Sequence, residues 1–149
     1  FSFNKLNKSE FSLICDDLSE ISTYTKPIDR KVFRTMKNAF PGPYTFILNA
    51  NNNIAKLFGT NKKEVGIRVP DHGFTRFLIK SLGHPLVSSS VHDDDEIIQY
   101  TTDPLTIFER HENDVDAVIN CGYGKNVAST IVKCTDNNPT ILRQGAGIL

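Results

Sequence analysis

The sequence has no tryptophan, one methionine and only three cysteines among its 149 residues. Cys15, Cys121 and Cys134 lie far apart and form no CxxC or CxxH pair, which excludes a zinc site built from neighbouring ligands. Cys15 and Cys134 follow the apolar stretches FSLI and TIVK. We therefore expect both to be small buried side chains in a reducing compartment.

Long apolar runs and net charge are also missing. No segment approaches the length of a membrane span and no signal peptide is visible, so we predict a cytoplasmic protein with no membrane partner. Seventeen basic residues balance seventeen acidic ones, which leaves no strongly basic field of the kind that by itself predicts nucleic-acid binding. The length predicts a single domain over residues 1–149, and the start at Phe1 suggests that this domain is N-terminally incomplete.

What is present is an alternation of short apolar segments and amphipathic ones. In residues 103–112, Asp103 is a candidate N-cap and Pro104 suits the first helical position. Helices between strands, followed by strands in succession, predict an α/β domain with a mixed sheet. The predicted strands are 10–15, 44–50, 64–70, 84–90, 116–121, 128–135 and 140–145, and the predicted helices are 16–24, 27–40, 53–59, 73–83 and 103–112.

Polar residues follow one of these strands in the segment PLVSSSVHDDDE, residues 85–96. Serine and aspartate clusters usually form solvated turns, because their side chains hydrogen-bond to nearby backbone. The alternative is a ligand site at the strand end. For Asp93–Asp95 we favour an exposed rim over metal ligation.

Two arginines interrupt apolar strands. Arg68 lies within EVGIRVP and Arg143 within TILRQG. Each could lie on a solvated face or pair with an acid, but two guanidinium groups on separate strands would also suit a site for carboxylate and phosphate. From the residues alone, we predict only a pocket that binds an anion.

Five blocks follow one another in register along the sequence: PGPYTFIL (41–48), VGIRVPDH (65–72), PLVSSSV (85–91), ASTIV (128–132) and ILRQGAG (141–147). Together they resemble the YrdC/YciO family, whose best-known members are threonylcarbamoyl-AMP synthases. The stretches FSLICDDLSEISTY and FRTMKNAFPGPYTFIL are most similar to its YciO branch. The resemblance implies a YrdC-like twisted open α/β sheet, mixed, with flanking helices and a large concave cavity.

The activity implied by the resemblance is that of an L-threonylcarbamoyladenylate synthase, a nucleotidyltransferase. It would use ATP with Mg²⁺, L-threonine and bicarbonate to make threonylcarbamoyl-AMP for threonylcarbamoyladenosine modification of tRNA, alongside other tRNA-modification proteins. The alternative is a YciO-like module that binds nucleotide or double-stranded RNA and has little or no synthase activity.

For threonine, the resemblance assigns three residues. Arg68 matches the arginine that holds the substrate carboxylate, and Ser129 with Thr130 matches a Ser-Thr pair near the substrate. No general base is predicted, because orientation and charge stabilisation would supply the catalysis.

For the nucleotide, the resemblance assigns four residues. Ser88 and Ser90 match the first and third positions of a Ser-Thr-Ser-Ala-Asn loop, and Arg143 matches an arginine that contacts phosphate or ribose. Lys5 stands near the place of a Lys-x-Arg pair, although no arginine accompanies it. His92 also departs from the pattern, since it replaces the asparagine of the loop.

Overall fold

The computed structural model describes residues 11–58, 62–91, 101–136 and 138–149. These residues belong to two compact units. The larger unit comprises Phe11–Ser88 and Ser129–Leu149, and the smaller contains the described residues of Ser89–Ala128. No helix in the described ranges is long and apolar enough to cross a membrane. The assignment of residues 1–149 to a single domain stays a prediction.

Six strands of the larger unit form one sheet in the order β4-β1-β3-β2-β5-β6. The strands are β1 (Ser12–Ile14), β2 (Tyr44–Asn49), β3 (Glu64–Arg68), β4 (Leu86–Ser88), β5 (Thr130–Lys133) and β6 (Thr140–Arg143). The pairs β1·β3 and β2·β5 are parallel, while the other three neighbouring pairs are antiparallel. The predicted mixed α/β sheet is confirmed, and the large concave cavity stays a prediction.

The helices begin and end at residues that the sequence marks clearly. The larger unit contains α1 (Arg30–Ala39), α2 (Asn52–Phe58) and α3 (Gly73–Leu82), and the smaller contains α4 (Pro104–His111). Asp29 caps α1, and Asp103 caps α4 by accepting a hydrogen bond from the amide of Leu105. Gly83 ends α3 with a φ of +73°, a conformation that glycine adopts without strain.

One face of the sheet carries the hydrophobic core. Alternate residues of a strand point to opposite faces, so β2 and β3 each bury every second side chain here. Phe46 is fully buried at the centre, where its ring meets that of Phe40 edge to face. The core also includes Leu13, Leu48, Val65, Ile67 and Val132 from the sheet, Val32, Met36 and Ala39 from α1, and Ile54 from α2.

Cys15 and Cys134 belong to this core, which confirms their predicted burial. Burial raises the pKa of the Cys15 thiol to about 12 and that of Cys134 to about 11, with smaller contributions from nearby carboxylates. Cys121, in the smaller unit, is exposed. The two buried thiols are therefore protonated at neutral pH and act as apolar packing groups.

Two predicted elements are wrong. Residues 16–24 form turns with a short 3₁₀ helix at Ile21–Thr23, because the Asp17 carboxylate accepts hydrogen bonds from the Ser19 amide and hydroxyl and closes a local turn instead. Residues 116–121 form no strand, and the Asn120 side chain accepts from the amide of Gly122 in a turn. In both places a short polar side chain competes with regular structure.

The helix predicted at 73–83 is confirmed as α3, but most of its large apolar side chains are exposed. Ile79 is buried, whereas Phe74, Phe77 and Leu82 are 45%, 67% and 45% exposed. The sequence pattern therefore located this helix without showing which of its apolar side chains are buried.

Candidate functional site

The face of the sheet opposite the core carries a row of small residues, four of them in β4, β1, β3 and β2 and the fifth directly before β5. We call it the polar face and define it by Ser12, Thr45, Gly66, Ser88 and Ser129. The hydroxyl oxygens of Ser12 and Ser88 are 3.2 Å apart, and those of Thr45 and Ser129 are 3.0 Å apart. Since a hydroxyl can both donate and accept, each pair keeps capacity for a further hydrogen bond to a ligand.

Gly66 lies between these two hydroxyl pairs, in the middle of β3. A Cβ atom at this position would lie 3.0 Å from Cβ of Ser12 and 3.2 Å from Cγ2 of Thr45. Because glycine has no Cβ atom, the side chains of Ser12 and Thr45 can pack against the backbone of β3. Glycine within a strand often marks a place where a ligand or another chain segment approaches the backbone closely.

Arg68 lies two residues beyond Gly66 and so projects from the same face of β3. Its side chain is half-buried, and no carboxylate in the described part of the chain pairs with it. Burial lowers the pKa of the Arg68 guanidinium, and the positive charge of Arg143 lowers it further. A half-buried cation without a protein counter-ion is the arrangement expected of an anion site.

Arg143 is opposite Ile131 in the antiparallel pair of β6 and β5. Its Nε and Nη2 atoms both donate to the backbone carbonyl of Ser129, at 3.2 and 2.9 Å. The structure thus brings Arg143 to Ser129. Since Ile131 is in turn aligned with Thr45 of β2, Arg143 projects from the same face of the sheet as Arg68. Two guanidinium groups on one face of a sheet suit a ligand that has more than one anionic group.

Thr130 has no exposed surface. Its hydroxyl donates to the carbonyl of Gly147 at 2.6 Å and accepts from the amides of Gly145 and Gly147 at 2.9 and 3.0 Å. It lies on the core side of β5, beside the polar-face residue Ser129. Thr130 thus lies next to Ser129, but backbone groups of Gly145 and Gly147 enclose its hydroxyl.

Of the other predicted site residues, Ser88 ends β4 on the polar face. Ser90 is exposed and belongs to the smaller unit. Lys5, His92 and Asp93–Asp95 lie outside the described residues. Within the described part of the chain, no group of three or more His, Cys, Asp or Glu side chains is arranged to hold a metal ion.

Sequence reasoning missed Ser12, Thr45 and Gly66 as members of the site. A signal was available, because each is a small residue at an alternate position of an apolar strand: FSLIC, YTFIL and EVGIR. Only the order of the strands in the sheet shows that these three residues lie next to one another. In the sheet, Ser12 is aligned with Ser88 on one side and with Gly66 on the other.

The sequence matches a family model described as "Sua5_yciO_yrdC: Telomere recombination" over residues 4–145. The chain belongs to the Sua5/YciO/YrdC family. Within this family it is 40% identical over 138 residues to an uncharacterized protein of Haemophilus influenzae and 38% identical over 139 residues to the uncharacterized protein YciO of Escherichia coli. Each match covers 92% of this chain and 66% of the relative's length.

Threonylcarbamoyl-AMP synthases are more distant members. That of Bacillus subtilis is 29% identical over 135 residues, a match that covers 87% of this chain and 37% of the synthase. The family thus includes both YciO proteins and synthases, and this chain has the higher identity to the YciO proteins.

Solved structures of the family share the fold. The crystal structure of Escherichia coli YciO superposes with a TM-score of 0.83 at 36% identity and covers 93% of this chain and 67% of that chain. The crystal structure of P. abyssi Sua5 complexed with L-threonine superposes with a TM-score of 0.80 at 19% identity and covers 95% of this chain and 42% of that chain. At that low identity the likeness to Sua5 concerns the fold alone.

Proposed function

We propose that the protein is a threonylcarbamoyl-AMP synthase-like enzyme that binds L-threonine and ATP at the polar face. One observation carries the proposal: Arg68 is a half-buried cation on the polar face and has no carboxylate partner among the described residues. With Arg143 on the same face, the two arginines would suit substrates that bring a carboxylate and a phosphate. L-threonine with ATP meets that requirement, and the presence of synthases in the family supports the choice.

In this proposal, different residues bind the two substrates. Arg68 would hold the threonine carboxylate through its planar fork, with the Ser129 hydroxyl nearby. Arg143 would contact the phosphate or ribose of the nucleotide, and Ser88 would present its hydroxyl to the adenylate. Ser90 and Lys5 remain proposed nucleotide contacts, and Lys5 would act as a point charge on phosphate.

The reaction would need orientation and charge stabilisation more than a reactive side chain. The threonine amine captures bicarbonate to give a carbamate and water, and a carbamate oxygen then attacks the α-phosphorus of ATP and displaces pyrophosphate. Mg²⁺ would enter with the triphosphate, because Mg²⁺ is commonly bound through substrate phosphates. The product would then serve threonylcarbamoyladenosine formation in tRNA by other proteins.

The test is a direct assay of the full-length protein. With ATP, Mg²⁺, bicarbonate and radiolabelled L-threonine, we expect pyrophosphate release that depends on threonine and labelled threonylcarbamoyl-AMP in equal amount. L-Alanine serves as the control substrate, because it retains the carboxylate and the amine but lacks the threonine hydroxyl. Measurable ATP binding without any labelled product would contradict the synthase proposal.

A second candidate function is binding of double-stranded RNA with little or no synthase activity, and α1 favours it. Its exposed side chains include four cations, Arg30, Lys31, Arg34 and Lys37, and the helix contains no acidic residue. Clustered cations can neutralise phosphates and release counter-ions. The neutral net charge of the whole chain does not argue against a local basic surface of this kind.

For this candidate, replacing Arg34 and Lys37 together by alanine should weaken RNA binding and flatten its salt dependence. The slope of log K against log salt should become shallower by about 1 for each phosphate that is no longer neutralised. Fluorescence anisotropy with a labelled RNA duplex measures both quantities. The matched control is Lys56→Ala with Lys80→Ala on α2 and α3, which removes two exposed lysines elsewhere. Equal salt slopes for the two double variants would dismiss α1 as the RNA surface.

A further inference from the structure

Other groups of the protein occupy every hydrogen-bonding position of the Thr130 hydroxyl. A threonine hydroxyl has one donor and two acceptor positions. Gly147 takes the donated hydrogen, while the amides of Gly145 and Gly147 occupy the two acceptor positions. Because the residue is also fully buried, a ligand could reach this hydroxyl only by displacing the glycine segment.

The glycines belong to a short segment, residues 143–148, that begins with Arg143. Several bonds attach this segment to β2, to β5 and to Ser129 directly before β5. Arg143 donates twice to the Ser129 carbonyl, and the Tyr44 hydroxyl donates to the carbonyl of Ile148 at 2.8 Å. Thr130 therefore holds the middle of a segment whose first residue carries the guanidinium of the candidate site.

The sheet register places Arg143 on the polar face. It is aligned with Ile131 of β5, and Ile131 is aligned with Thr45 of β2, so Arg143 projects from the same face as Arg68. The Arg143 side chain is exposed, and its two bonds to the Ser129 carbonyl hold the guanidinium over that face. A cation that is held in place before the ligand arrives loses less conformational freedom on binding.

We propose that Thr130 is a positioning residue, whose buried hydroxyl anchors residues 145–147 and thereby keeps Arg143 on the polar face, from which Arg68 also projects, before any ligand binds. This role differs from the direct substrate contact suggested by the family resemblance. Only the identity of the anion, ATP, rests on the proposed function. The position of Arg143 itself can be measured without any ligand.

The experiment compares Thr130→Val, which removes the hydroxyl at nearly constant shape, with Thr130→Ser, which keeps it. In the ligand-free protein, NMR should show fast amide exchange at Gly145 and Gly147 and increased mobility of the Arg143 Nε–H group in Thr130→Val only. Calorimetry should then show ATP binding about tenfold weaker in Thr130→Val and within about twofold of wild type in Thr130→Ser. Thr25→Val is the matched control, because Thr25 is also buried but its hydroxyl bonds to the Ile21 carbonyl.

Three results would overturn the proposal. They are an unchanged Arg143 Nε–H signal in Thr130→Val, equal defects in Thr130→Ser and Thr130→Val, and the same increase in Arg143 mobility in Thr25→Val. If Thr130→Val does not fold, Tyr44→Phe removes the bond to Ile148 while keeping the ring, and a smaller increase in Arg143 mobility is then expected. If the wild type binds no ATP, the proposed function fails, but the ligand-free NMR comparison still decides the role of Thr130.

Discussion

Replacing Arg68 by methionine is expected to lower threonylcarbamoyl-AMP formation about a hundredfold, through weaker use of threonine. A bidentate bond between a guanidinium and a carboxylate contributes more than a neutral hydrogen bond, and the loss of about 3 kcal/mol corresponds to that factor. Methionine retains most of the apolar stem of the side chain and removes only the charge and the donors. The measurement is kcat/KM for threonine at saturating ATP.

The same substitution should leave the fold as stable as the wild type or more stable. The pKa of Arg68 is lowered by burial and by Arg143, which means that the folded state disfavours this charge relative to solvent. Removing the charge removes both unfavourable contributions, and no carboxylate among the described residues loses a partner. Urea unfolding should therefore show a midpoint equal to or above that of the wild type. Loss of activity with retained stability is typical of a residue kept for function.

Lys133→Met is the matched control for Arg68→Met. Lys133 lies in β5 and is also half-exposed, but its ammonium group lies 2.9 Å from the Glu64 carboxylate. A paired cation near the surface should contribute little to binding a further anion. Similar losses of threonine use in the two variants would mean that general positive charge matters rather than the Arg68 site. A loss smaller than about threefold in Arg68→Met would contradict the proposed carboxylate contact.

Much of the fold could be predicted from the sequence because local and tertiary preferences agree there. Asp103 and Pro104 mark the start of α4, and the structure begins that helix at Pro104. The apolar strands around Phe46 and Ile67 lie in the centre of the sheet, as their composition indicates. Prediction failed over residues 16–24, where an aspartate side chain closes a turn and overrides the helical pattern.

The candidate site was less accessible to sequence reasoning, because it depends on strand order. Arg68 and Arg143 could be selected as guanidinium groups within strands, with their roles supplied by the family resemblance. Ser12 and Thr45 could not, because their partners come from distant parts of the sequence. Ser12 in β1 bonds to Ser88 in β4, and Thr45 in β2 bonds to Ser129, which precedes β5. Thr130 could be placed near the site, but only the three-dimensional hydrogen bonds show that its hydroxyl is fully used.

Gly147→Ala is expected to destabilise the protein and to weaken ATP binding at the same time. A Cβ atom at Gly147 would lie less than 3.0 Å from three atoms of the Tyr44 ring. The ring is buried and its hydroxyl is bonded to the Ile148 carbonyl, so it cannot move aside without losing that bond. We expect a loss of about 1–3 kcal/mol in the free energy of unfolding, measured by urea denaturation. ATP binding, measured by calorimetry, should fall at least tenfold, because Thr130 and Arg143 lose their common support.

Gly73→Ala provides the control for a general effect of adding a methyl group. Gly73 begins α3, a Cβ atom there would meet nothing within 4 Å, and alanine favours the helix. This variant should be as stable as the wild type and should bind ATP equally well. If Gly147→Ala loses stability but keeps its ATP affinity, the packing of Gly147 against Tyr44 is independent of Arg143. Joint loss of stability and affinity would instead mean that the anion site depends on close packing between residues 143–148 and the sheet, and not on the two arginines alone.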